Sequence, residues 1–193
     1  CALPIRLRLL VPIVENVIGK DAFRPGDVLE TRSGKTIEVE NTDCEGRIIL
    51  ADCLTLVTES SPELVIDLGT LTGSARTALG GQLQAMFTPS DALATEIEQA
   101  GLAKDDAVWR MPLWDGYASR VRGTVGDLIN MAPGAYAGAI TAALFLREFT
   151  NGHPGWVHFD ISAWNDTKRP GRPVGGEGTA LKAILHMLKG RYA

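Results

Sequence analysis

The sequence predicts a layered α/β fold, a mixed β-sheet flanked by helices, and three observations carry that expectation. Short, continuous apolar runs suited to buried strands recur along the chain, at Leu7–Val14, Glu63–Leu68 and Trp156–Ile161. Longer stretches with helical spacing lie between them. The 193 residues are 45% hydrophobic and 22% charged, which suits a soluble globular core and argues against disorder.

Taken in order, Leu7–Val14 is aliphatic and β-branched and reads as a buried strand before an Asn/Gly-containing turn. Val28–Thr31 and Thr36–Val39 flank Ser33-Gly34 and predict a β-hairpin. Ile48–Thr58 carries Ile48, Leu50, Ala51, Leu54 and Val57 in an apolar band, which predicts a helix. Glu63–Leu68 predicts a second buried strand, because Leu64-Val65-Ile66 is continuous rather than alternating. Ser90 is a suitable N-cap for a helix over Asp91–Gly101, with an acid in its first turn and a glycine to stop it. Trp114–Val121 predicts a short helix, and Gly138–Phe149, rich in Ala and Leu, a well-buried one. Trp156–Ile161 follows as a strand, and Thr179–Lys189 as a last helix with cations near its end that suit the helix dipole.

Charge and cysteine usage exclude several classes. The net charge is −4 and Lys and Arg form no long run, so neither a nucleic-acid backbone nor an anionic membrane is implied as a partner. Cys1, Cys44 and Cys53 are too scattered for a disulfide framework or a zinc knuckle and fit a reducing cytoplasm. Arg6 and Arg8 interrupt the first apolar run, and no stretch approaches the roughly 20 apolar residues of a membrane span.

The stretch Asn41-Thr42-Asp43-Cys44-Glu45-Gly46-Arg47 concentrates the chemistry. If it is extended, Asp43, Glu45 and Arg47 project from one side. Two adjacent acids repel unless a cation lies between them, and Arg47 balances only one charge, so a divalent metal would complete the set. The alternative is a surface loop in which Arg47 pairs with one of the acids.

The run from Asn41 to Leu54, NTDCEGRIILADCL, strongly resembles the NTDAEGRLxLADxL signature of the leucyl (cytosol) aminopeptidase family of dimetal exopeptidases. The resemblance extends through VEN at Val14–Asn16, FRPGDVL at Phe23–Leu29, DLGTLTG at Asp67–Gly73 and WRMPLW at Trp109–Trp114. It continues through AGAITAALFL at Ala137–Leu146, FDISAWN at Phe159–Asn165 and RPGRPVGGEG at Arg169–Gly178. The VGKG, DSGG and KxDM motifs, which carry the family's remaining metal ligands and its catalytic lysine, do not occur in this sequence. Residues 1–193 therefore resemble the carboxy-terminal portion of the peptidase catalytic domain, without the amino-terminal domain and the first catalytic half.

The resemblance implies a metalloaminopeptidase that releases amino-terminal residues from peptides. Asp43 resembles the carboxylate that binds one metal and Glu45 the one that bridges both, with manganese, zinc or magnesium as the two ions. Arg47 resembles the arginine that holds bicarbonate, the general base, or stabilises the tetrahedral intermediate. Asn41, Thr70, Leu71 and Gly73 resemble the residues that approach the substrate. A homo-hexamer in the cytoplasm is implied by the same likeness. Because two carboxylates cannot complete a dinuclear site, the isolated chain is expected to be inactive. A scaffold that keeps the fold without metal is the alternative from another class.

Asp67 and Asp160, in apolar strands, are expected to be structural acids satisfied by backbone donors rather than ligands. Cys44 and Gly69 stand where the family usually has alanine. His153, His158 and His186 form no H-E-x-x-H pair, and no G-x-S-x-G elbow exists. Gly175-Gly176-Glu177-Gly178 is a weak phosphate-loop candidate, opposed by Glu177. Trp109, Trp114 and Tyr117 suit a core or an interface better than a ligand cage.

Overall fold

Pairing begins where the sequence places its first turn. Gly34 takes the left-handed φ of 81° that favours glycine, its N–H donates to Thr31 O, and Thr31 N–H donates to Lys35 O to close the hairpin. The structure, a computed structural model, describes residues 4–15 and 18–193. In chain order its elements are β1 (Val28–Glu30), β2 (Thr36–Glu38), a 3-10 turn at Thr42–Cys44, α1 (Glu45–Thr58), β3 (Val65–Gly69), α2 (Gly73–Leu79) and β4 (Gln84–Phe87). There follow α3 (Asp91–Ala103), β5 (Val108–Arg110), a 3-10 helix at Asp115–Val121, β6 (Leu128–Ile129), α4 (Gly138–Arg147), β7 (Trp156–Asp160), β8 (Trp164–Asn165), β9 (Gly175–Gly176) and α5 (Leu181–Tyr192).

The chain divides into two compact units. The first comprises Ile66–Pro112 and Pro154–Ala193 with the segment that ends at Arg8, and the second comprises Leu9–Val65 and Leu113–His153. The first unit is built on a four-stranded mixed sheet ordered β3-β7-β4-β5, with a small β8-β9 pair. There β4 runs parallel to β5 and antiparallel to β7, with Phe87 opposite His158 and Ala85 opposite Asp160. Every residue of β4 and β7 is buried, which accounts for the continuous run expected at Trp156–Ile161.

Helices α3 and α5 pack together in the first unit. α3 buries Leu93, Ala94, Ile97, Ala100 and Gly101, an i, i+3, i+4 stripe, and α5 buries Ala183 and Met187. Ser90 caps α3, its side chain accepting from Leu93 N–H at 3.2 Å. The expected stop at Gly101 is corrected: the helix continues to Ala103. Gly101 serves packing instead, since a Cβ there would lie 2.7 Å from Asp106 O.

The second unit carries a three-stranded sheet ordered β1-β2-β6, with β2 antiparallel to β1 and parallel to β6. α4 packs on α1 and on the 3-10 helix Asp115–Val121. It buries Thr141 through Leu146 without interruption, and each of its fully buried large side chains contributes about 1.5–3 kcal/mol through removal from water.

One expected element is absent. Leu7–Val14 forms no strand, and Leu7, Leu9, Val11, Ile13 and Val14 are exposed. An apolar run becomes a strand only when a neighbouring backbone completes its ladder, and none pairs with it among the described residues. Asn16, the end of the VEN block, lies outside the described residues.

Candidate active site

The acidic bend is helical, not extended, which corrects the expected geometry. Asn41 adopts extended φ/ψ of −133°/124° and caps the 3-10 turn, its side chain accepting from Asp43 N–H at 2.8 Å. Helix α1 then starts at Glu45. A spacing of two residues on a helix turns side chains to different faces, so Asp43 and Glu45 are exposed while Arg47 is 5% exposed. The reason is the apolar band that follows: Arg47, Ala51 and Leu54 form the buried stripe of α1, and helical periodicity places the guanidinium in line with the core residues.

The backbone before the bend is clipped from a distance. Asn130, fully buried, accepts from Glu40 N–H at 2.8 Å and Asn41 N–H at 3.2 Å, and its amide donates to Asn41 O at 2.7 Å. Asn41 completes the clamp by donating to Met131 Sδ at 3.3 Å. Sequence reasoning missed Asn130, because no local pattern marks a side chain that meets its partner from the far end of β6. Cys44, half-buried, has its thiol pushed up by burial; Asp43 and Glu45 push the same way and Arg47 opposes. That keeps it a thiol rather than the thiolate that binds soft metals.

The predicted substrate strip belongs to the first unit and follows the carboxyl end of β3. Thr70 and Gly73 are exposed and Leu71 is half-buried. Leu71 N–H and Thr72 N–H donate to Asp160 Oδ1 at 3.0 and 3.1 Å, and the Thr72 hydroxyl donates to Oδ2 at 2.6 Å. The same hydroxyl accepts from Ala75 N–H at 3.1 Å and starts α2. Asp160 is thus a satisfied structural acid, as expected. Gly69 has no positive φ and its carbonyl accepts from Ile161 N–H at 2.9 Å, so the backbone at the strand end does not need glycine's left-handed freedom there.

Asp67 is satisfied as well, but by side chains rather than by the expected backbone donors. Trp156 Nε1 donates to Oδ2 at 2.8 Å, and His158 Nδ1 lies 2.6 Å from Oδ1. The His158 ring is stacked with those of Phe87 and Trp156. In this unit the glycine loop forms β9 against β8, and Glu177 is paired with Arg169 and Arg172, which leaves no phosphate cradle. A cavity of about 190 Å³ is lined by Gln82, Asp105, Arg169, Arg172, Glu177 and Thr179 among others, and none of the predicted site residues borders it. Trp109 and Trp114 are exposed, not core.

The donor set permits part of a metal site. Asp43 and Glu45 offer hard carboxylate oxygens suited to manganese, zinc or magnesium. Among the described residues, no group of three or more His, Cys, Asp or Glu side chains could hold an ion by itself.

Known proteins share this fold. Residues 1–185 match the model of the cytosol aminopeptidase family, catalytic domain. The probable cytosol aminopeptidase of Roseiflexus castenholzii is 44% identical over 190 residues, 97% of this chain and 38% of that protein. The crystal structure of cytosol aminopeptidase from Coxiella burnetii superposes with a TM-score of 0.94 at 51% identity, covering 99% of this chain and 42% of that one. The bottromycin maturation enzyme BotP, in a structure in complex with Mn, gives a TM-score of 0.83 at 35% identity, covering 88% of this chain and 38% of that one. The chain belongs to the cytosol aminopeptidase family. It spans less than half the length of the relatives it matches.

Proposed function

We propose that the whole protein is a metal-dependent aminopeptidase of the leucyl type, releasing amino-terminal residues from peptides in the cytoplasm as a homo-hexamer. Family membership supports the peptidase class. The observation that carries the site is the exposed pair Asp43 and Glu45, set at the start of α1 on a backbone that Asn130 holds in place.

In this reading Asp43 and Glu45 would be the carboxylates that hold the two divalent ions, manganese or zinc, and Glu45 would serve both. Among the described residues no group of three or more His, Cys, Asp or Glu side chains completes a coordination shell. When bound, such ions act as Lewis acids and make water a nucleophile at neutral pH. Arg47 binds bicarbonate, the general base, or stabilises the negative charge that develops on the peptide carbonyl. Its burial makes that charge more effective than an exposed cation would be. Thr70, Leu71 and Gly73 bind the peptide, and Asn41 serves the same substrate site. Asn41 acts largely through the backbone it caps, since its carboxamide is committed to Asp43 N–H and Met131.

Calorimetric titration of the full-length protein with manganese, compared with Asp43→Ala and Glu45→Ala, tests the reading. Either substitution should abolish binding at one or both sites together with leucine p-nitroanilide hydrolysis. Unaltered binding in both variants would reject it in favour of a metal-free scaffold. The 193-residue chain alone, with its incomplete donor set, should show no turnover.

A further inference from the structure

Among the groups not assigned a role in the reaction, Asp160 has geometry that reaches furthest. It is 3% exposed and takes three hydrogen bonds, all from the two residues at the centre of the strip: two peptide N–H groups on Oδ1 and the Thr72 hydroxyl on Oδ2. A trans peptide group is planar, with its N–H and C=O directed oppositely. When Asp160 draws the N–H groups of Leu71 and Thr72 inward, the carbonyls joined to them, those of Thr70 and Leu71, are turned away from it. Two consecutive peptide planes are thereby set in one orientation by one carboxylate. This orientation is not given by secondary structure, since the segment lies between the end of β3 and the start of α2.

We propose that Asp160 is a positioning residue for peptide substrates, which fixes the Thr70 and Leu71 carbonyls outward as acceptors for substrate N–H groups. The proposal rests on the aminopeptidase reading above. The Thr72 hydroxyl ties the orientation to α2, because it donates to Asp160 and accepts from Ala75 N–H at once. The cradle thus links β7, the strip and the first turn of α2 within the first unit. The carboxylate touches no substrate in this scheme; it acts through the peptide groups it holds.

The test is steady-state kinetics of the metal-loaded, full-length protein on leucine p-nitroanilide and a leucyl dipeptide. Asp160→Ala should raise KM about tenfold on the dipeptide with kcat changed by less than about twofold, the signature of lost uniform binding, and with metal content unchanged. Asp160→Asn, whose amide oxygen can still accept both N–H groups, should restore KM to near the wild-type value. Should Asp160→Ala fail to fold, Thr72→Val, which removes only the hydroxyl arm, should raise KM about threefold on the dipeptide. Wild-type KM in a folded Asp160→Ala, or in Thr72→Val where the alanine variant does not fold, overturns the positioning role and leaves the aminopeptidase reading intact, as does loss of metal together with activity in Asp160→Ala. An inactive, metal-loaded wild type overturns both.

Discussion

His158 Nδ1 lies 2.6 Å from Asp67 Oδ1, and the imidazole is fully buried. Trp156 Nε1 donates to the other carboxylate oxygen at 2.8 Å, so Asp67 is the common acceptor for two side chains that share one face of β7. A carboxylate acceptor requires the proton on His158 Nδ1, and Nε2 is buried without a partner among the described residues. Removing the acceptor strands two buried donors, each costing about 1–3 kcal/mol. Asp67→Ala should therefore lower the unfolding free energy by about 2–5 kcal/mol, read from urea denaturation. A loss below about 0.5 kcal/mol, the range of an ordinary surface change, would show that the pair does not stabilise the sheet.

Much of the helical framework was legible because its signals are local. Ser90 caps α3 where the side-chain chemistry says it should, α4 follows its Ala/Leu run, and the hairpin turns at Gly34. The elements missed, α2, β4, β5, β6, β8 and β9, are short. Strands such as β6 exist only because Leu128 meets Ile37 across the chain, and no window of sequence contains both. The acidic pair and the arginine of the candidate site were legible as a motif, but their geometry was not. Alternation assumed a strand, whereas the Asn41 cap and the apolar stripe of α1 wind the segment into a helix and sink Arg47. Exposed Leu7–Val14 shows the opposite failure, in which strand-like residues lack a ladder partner among those described.

Asn130 offers a sharper handle on the site than the acids themselves. Its carboxamide makes three hydrogen bonds to the backbone of Glu40 and Asn41, and its replacement leaves those groups without a buried partner. Asn130→Ala should cost about 1–3 kcal/mol in stability. Through the loosened bend, it should weaken manganese binding by the full-length protein about tenfold or more, as removal of supporting contacts around metal ligands does. Unchanged metal affinity in a measurably destabilised variant would separate the clamp from the site.

The loop after Arg122 should respond to acid. The Glu38 carboxylate is held below the usual glutamate range first by Val125 N–H, with Gly126 N–H and Thr124 adding to the effect against a smaller opposing desolvation. Asp127 is lowered chiefly by Thr36, through its N–H and hydroxyl. A carboxylate whose folded value is depressed stabilises fully above its unfolded value of about 4 and loses that contribution as pH falls through the lower folded value. Amide exchange at Val125 and Gly126 should therefore accelerate, after correction for intrinsic rates, as pH drops below about 4. In Glu38→Gln that acceleration should largely vanish, and an identical profile in both proteins would contradict the assignment.

Gly101 provides a test in which two rules disagree in sign. By intrinsic propensity, alanine in the interior of α3 should stabilise by about 1 kcal/mol relative to glycine. The Cβ it adds would stand 2.7 Å from Asp106 O and 3.5 Å from Ala183 Cβ. The first neighbour is backbone, which cannot swing aside as a flexible side chain can. That backbone is also committed, because the Asp106 side chain accepts from Ala180, Lys182 and Ala183 N–H at 2.8–3.0 Å and caps α5, while Asp106 N–H donates to Gly101 O. A shift at Asp106 would strain the start of α5 and the α3–α5 packing together. Overpacking typically costs about 1–3 kcal/mol and outweighs the propensity gain. Gly101→Ala should thus lower the melting temperature, and Asp106→Ala should lower it further by uncapping α5, since loss of a cap alone costs about 0.5–2 kcal/mol. A melting temperature raised by Gly101→Ala would mean that α3 and α5 separate more easily than their contacts imply.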